Sequence, residues 1–74
     1  MYTPWIINLV HKRIKEAEVY KRPWLILERL GIEDLPAEIF DLVHLDELVV
    51  IDNLLVTIPP EIQKLENLSR ISFF

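Results

Sequence analysis

Apolar residues fall along this chain in two different rhythms. Between positions 1 and 22, Ile6, Leu9, Val10, Ile14, Ala17 and Tyr20 recur at the spacings that gather on one sector of a helical wheel, with Trp5 at its margin. Lys12, Lys15, Glu18 and Arg22 fall on the opposite side. Thr3 can serve as N-cap with Pro4 at the first helical position. Lys21-Arg22-Pro23 is expected to end the helix, because a residue before proline avoids the helical region. Beyond it a longer period takes over. Leu35-Pro36-Ala37-Glu38-Ile39 aligns with Ile58-Pro59-Pro60-Glu61-Ile62 when the chain is slid along itself from position 35 to position 58. The same shift carries Leu42 onto Leu65, Leu45 onto Leu68, Leu48 onto Ile71 and Val50 onto Phe73. Applied backwards, it carries Leu48 onto Leu25, Val50 onto Leu27, Leu55 onto Ile32 and Ile58 onto Leu35. So many apolar coincidences, with prolines among them, mark an internal repeat.

The repeat has a recognisable spelling. Leu45-Asp46-Glu47-Leu48-Val49-Val50-Ile51-Asp52-Asn53-Leu54-Leu55 fits L-x-x-L-x-L-x-x-N-x-L with Val50 at the third leucine position, and Val56-Thr57-Ile58-Pro59 and Pro60-Glu61-Ile62-Gln63-Lys64-Leu65-Glu66-Asn67-Leu68 follow. Residues 24–74 therefore resemble the 23-residue leucine-rich repeat of Ras-suppressor-like, plant-intracellular and bacterial Roco-type proteins. A helix leading directly into a degenerate first repeat is also similar to the start of Roco-type repeat regions. The resemblance implies an α/β fold, a short leucine-rich-repeat solenoid. Its N-terminal amphipathic capping helix (1–22) precedes about three short parallel strands joined by convex helical or 3₁₀ segments. Within 23–74 the expected order is a degenerate capping repeat, one full repeat near 35–57 and an incomplete third, all in one folded unit.

In that frame Leu25/Leu27, Leu48/Val50 and Ile71/Phe73 point inward from short strands with alternating faces. Pro36 and Pro59 are expected at the first position of the convex segments. Ile39, Leu42 and Leu45, and again Ile62, Leu65 and Leu68, have the three-residue spacing of a short helix or a 3₁₀ run. Asn53 stands where the chain turns away, and the resemblance implies that its amide satisfies backbone groups in the turn. Leu30 holds that position in the first repeat, so no ladder of asparagines forms.

Two surfaces follow. Trp24, Ile26, Glu28, Glu47, Val49, Ile51 and Asp52 are the candidate partner-binding residues of a concave face. Ile26 lies beside Val49 there, and Ile51 beside Phe74. Arg70, Ile71, Ser72, Phe73 and Phe74 form a strand edge without a polar cap, and a bare edge is a template for pairing with another chain. Self-association as a homodimer through this edge is the expectation. Membership of a longer repeat array is the alternative.

Charge and composition narrow the function. Lys12, Arg13, Lys15, Lys21 and Arg22 face only Glu16 and Glu18 in the segment 1–22, whereas the remainder holds three basic and ten acidic side chains. An acidic body disfavours nucleic acid, whose binding neutralises phosphates. The basic helix leaves docking on an anionic membrane surface as the alternative to its capping role. No segment has the apolar length of a membrane span, no basic start marks a secretory signal, and there is no Cys, so a cytoplasmic protein is expected.

Chemistry finds little purchase. The single Gly31 excludes glycine-rich phosphate loops. Ser69 and Ser72 have no evident base, and His11 and His44 read as solvated, without ligands at metal spacing. Glu38, Asp41, Asp46 and Glu47 read as a solvated surface. The expectation is a non-enzymatic protein-interaction module that needs neither cofactor nor metal. If the helix is the cap, deleting residues 1–22 removes solubility and fold, measured by circular dichroism; a truncated chain that still folds rules the cap out.

Overall fold

The two rhythms become two kinds of backbone. In a computed structural model, which describes residues 4–73, the first is helix α1, Pro4–Val19. Three parallel strands follow: β1 (Trp24–Ile26), β2 (Glu47–Val49) and β3 (Arg70–Ser72), in the order β1-β2-β3. Two 3₁₀ segments, Ala37–Asp41 and Pro60–Lys64, lie between the strands. No helix among the described residues is long and apolar enough to cross a membrane.

Helix α1 buries Val10, Ile14 and Ala17, with Ile6 and Leu9 half-buried beside them. Tyr20 does not join this face and is 67% exposed. Its N–H still donates to the Glu16 carbonyl at 2.9 Å, and the helix closes just beyond it. Lys21 takes a left-handed backbone (φ 52°), and the Arg22 N–H turns back to the Ala17 carbonyl at 3.1 Å. That is the closure of a Schellman motif. The helix thus ends through a left-handed lysine two places ahead of Pro23, not at the proline itself. The Lys21 ammonium donates to Glu18 at 2.8 Å. This bond, with the Lys21 charge, holds the Glu18 carboxyl below its ordinary range. The expected Thr3 cap lies outside the described residues.

Strand register repeats the sequence offset. Trp24 pairs with Glu47 and Glu47 with Arg70; Leu25, Leu48 and Ile71 align, as do Ile26, Val49 and Ser72. Alternation then decides burial. Leu25, Leu27, Leu48 and Val50 are buried, together with Ile32, Leu35, Ile39, Leu42 and Leu45. Ile71 has the inward register but is 37% exposed, because no element among the described residues covers the far side of β3. At each strand entrance one carbonyl accepts two N–H groups from the next unit. Asp46 and Glu47 donate to Pro23 at 2.7 and 3.0 Å, and Ser69 and Arg70 to Asp46 at 2.8 and 3.1 Å. The Ser69 hydroxyl also donates to the Asp46 carboxylate.

The connecting segments follow the three-residue spacing of their apolar positions. Ile39 N–H donates to Pro36, Leu42 to Ile39 and Leu45 to Leu42, at 3.0–3.1 Å. Ile62, Leu65 and Leu68 repeat the chain from Pro59, each at 3.1 Å. A 3₁₀ turn eclipses every third side chain, so the residues that carry these bonds also face the core. Pro36 and Pro59 sit one place earlier than expected, at the N-cap, with extended ψ of 142° and 153°. At Pro59 the following Pro60 reinforces the extended conformation, since a residue before proline is driven out of the helical region, but Pro36 adopts it ahead of Ala37.

Asn53 joins the units. Its Nδ2 donates to the carbonyls of Leu27 (2.6 Å), Val50 (2.9 Å) and Ile51 (3.2 Å). Its Oδ1 accepts from the N–H groups of Leu30 (2.9 Å) and Ile32 (3.4 Å). Three of these five partners belong to the preceding unit, where Leu30 holds the matching position and is buried. Leaving such groups unpaired costs about 1–3 kcal/mol each. Asn53→Ala should lower unfolding stability by about 3 kcal/mol, most of what a chain of this size commonly has. Asn53→Asp should cost at least as much, because it directs a carboxylate at three carbonyl oxygens. Urea unfolding measures both; a loss under about 1 kcal/mol in either variant would contradict the role.

Candidate interaction surface

The face of the sheet opposite the core carries the outward-facing residues of each strand. Trp24 and Ile26 project from β1 with 43% and 39% exposure. Glu47 and Val49 on β2 are half-buried, as is Ile51 just past it. Register places Ile26 beside Val49, so two apolar side chains meet at the centre of this face. Glu28 and Asp52 are exposed at its margin, and Arg70 and Ser72 lie on β3. The expected neighbour of Ile51, Phe74, falls outside the described residues.

Ion pairs hold the margin. Arg29 Nε donates to the Asp52 carboxylate at 3.2 Å, joining positions one repeat apart in sequence. Both have left-handed backbones, φ 58° and 57°, so the chain leaves the first two strands by the same turn. A left-handed backbone costs about 1–2 kcal/mol for an ordinary side chain and less for Asp, whose short polar group bonds locally. Arg70 lies 3.6 Å from Glu47 and 3.9 Å from Asp46. These pairs are solvent-exposed and contribute little stability. They do fix where the charges stand.

Three residues outside the sequence-based set complete the surface. Arg22 places its guanidinium 5.3 Å from the ring centroids of both Tyr20 and Trp24. Its Nη1 lies 3.6 Å from Glu16. The Tyr20-x-Arg22-x-Trp24 spacing was the available signal, but it acquires meaning only once Lys21 turns the chain. Arg13, from α1, donates to the Ile26 carbonyl at 3.1 Å. Together these contacts fix the orientation of Trp24 and the outer edge of β1.

The histidines stand differently from each other. His44 is not solvated: it is half-buried, and its Nε2 donates to the Ala17 carbonyl at 3.0 Å, tying the end of α1 to the chain ahead of β2. That bond fixes the tautomer, since a carbonyl can only accept. His11 is exposed, 3.3 Å from Glu38. It stands over a cleft of about 480 Å³ between α1 and the first 3₁₀ segment, lined also by Ile14, Lys15, Glu38 and Leu42. This cleft is remote from the Ile26–Val49 pair. Among the described residues there is no group of three His, Cys, Asp or Glu side chains placed to hold a metal.

No protein-family model matches the chain. No curated protein gives a significant match to it either.

Proposed function

We propose that the chain is a leucine-rich-repeat interaction module, non-enzymatic, whose short solenoid presents a concave face to a protein partner. The strand register, which steps by one sequence repeat, and the Asn53 bonding pattern support the solenoid reading. One observation carries the functional reading: Ile26 and Val49 are register partners on the solvent side of a sheet whose other side already holds the core. Neither side chain belongs to the buried core cluster.

Around that apolar pair stand Glu28, Glu47, Arg29 and Asp52, and Trp24 is braced by Arg22. An apolar centre with a charged rim is the anatomy of a protein interface, and Trp and Arg supply much of the binding energy at such sites. The pre-positioned Trp24 lowers the entropy lost when a partner seats on it. A chain without cysteine needs no oxidising compartment, which favours the cytoplasm.

A photo-crosslinking amino acid at position 26 should give a discrete adduct with a second protein in cells. That adduct should vanish in the Val49→Asp background, while circular dichroism stays unchanged. The same probe at Asp41, on the 3₁₀ side, should give none. Equal adducts at both positions, or an adduct indifferent to Val49→Asp, would move the site off this face.

A further inference from the structure

Among the described residues the core is closed at one end and open at the other. At the β1 end, α1 buries Val10, Ile14 and Ala17 against the sheet, and Arg13 occupies the Ile26 carbonyl. At the β3 end, apolar positions are less covered than their counterparts one repeat earlier. Ile39, Leu45 and Leu48 are fully buried, whereas Ile62, Leu68 and Ile71 are not. Leu55 and Ile58 are also only half-buried. Leu55, Ile58, Ile62 and Leu68 pack against the core cluster without being fully covered.

The backbone is open in the same place. In the parallel ladder Val50 donates to Ser72 and Arg70 to Asp46, so residues 70 and 72 face β2. Alternation turns the N–H and carbonyl of Ile71 to the outer edge. On β1 the outer edge is different, because there Arg13 bonds the Ile26 carbonyl. An uncovered edge such as that of β3 accepts another strand.

We propose that a second copy of this chain covers the open end, the two copies pairing β3 against β3, antiparallel about Ile71. Three observations select this occupant. First, α1 obstructs the β1 end, so among the described residues a second copy offers no bare edge except its own β3; the contact is isologous and closes at two. Second, residues 54–73 carry Glu61 and Glu66 against Lys64 and Arg70, no net charge, within a chain of net charge −4. The two ends therefore meet without the repulsion that other surfaces of the chain would impose. Third, antiparallel pairing centred on Ile71 lets its N–H and carbonyl exchange both bonds with the same residue of the second copy. It also sets Arg70 opposite Ser72 of that copy, away from like charge. The Ile71 side chains then lie on the core side, where the two apolar ends merge. This surface is distinct from the Ile26–Val49 face, so either reading can fail without the other.

The chain contains no Cys, which makes the test direct. Cα atoms of a hydrogen-bonded antiparallel pair lie about 5.5 Å apart, within disulfide reach. Ile71→Cys should therefore oxidise to a disulfide-linked dimer on the order of 100-fold faster than Lys15→Cys on the exposed side of α1. Light scattering of the unaltered 74-residue chain should give twice 8.8 kDa. Ile71→Lys should give the single mass with the helical signal of α1 retained. If that variant unfolds, the cross-linking rate alone decides. A chain that stays monomeric when concentrated, an assembly growing beyond two copies, or equal oxidation of the two cysteine variants would overturn the proposal. The monomeric result would leave the open end to a further repeat of the same pattern.

Discussion

Where the chain leaves β2, its backbone turns beside the core, and a turning backbone presents carbonyls and N–H groups that no strand can pair. Asn53 resolves this with one carboxamide. It gives hydrogens to the carbonyls of Leu27, Val50 and Ile51 and receives them from Leu30 and Ile32. Because the partners lie in both units, the spacing between the turns after β1 and β2 is set by a side chain of fixed length. The buried row of Leu27, Ile32 and Val50 depends on that spacing, for these apolar groups sit beside the bonded ones. Buried backbone polar groups are almost always paired, and here the pairing is concentrated on one residue.

Around this junction each turn of the chain uses the same few parts. A three-residue strand contributes one buried side chain to the core and two more exposed ones to the other face. A left-handed residue follows it, Arg29 or Asp52. A 3₁₀ run then returns the chain, its hydrogen bonds and its apolar contacts falling on the same every-third residues. Short strands suit this arrangement, because a longer strand would need more apolar partners than one neighbouring unit supplies. The consequence for the surface is that only two rows of side chains face outward from β1 and β2. The Ile26–Val49 pair is central because it lies between the Trp24–Glu47 row and Glu28 and Ile51 just past the strands.

Most of this was legible in the apolar spacing. The repeat offset in sequence became the strand register without adjustment, and Ile39, Leu42 and Leu45 went inward as their spacing required. The outward set of Trp24, Ile26, Glu47 and Val49 followed from the same alternation. What could not be read were features created by a single backbone angle or by distant contacts. Nothing in Lys21 as a residue announces a left-handed conformation, yet it turns Arg22 back to the Ala17 carbonyl, where its guanidinium lies against Tyr20 and Trp24. His44 reaches back to Ala17, and Arg13 reaches forward to Ile26. Neither pairing leaves a periodic trace. Pro36 and Pro59 both stand one place early, at the N-cap, although only Pro59 precedes a second proline, so the shift belongs to the repeat.

The contrast between the two ends of the core also sets how the molecule loosens. Its stability is not evenly shared, since each unit leans chiefly on its neighbours and the first is held by α1, His44 and Arg13 as well. Among the described residues the β3 unit leans on one side only. By local contacts alone β3 is the less supported edge, while β1 is covered by the helix. In the proposed dimer the copy on β3 does more than touch a finished surface: it supplies the missing half of a folding unit, so that binding there and the local completion of the fold become one event.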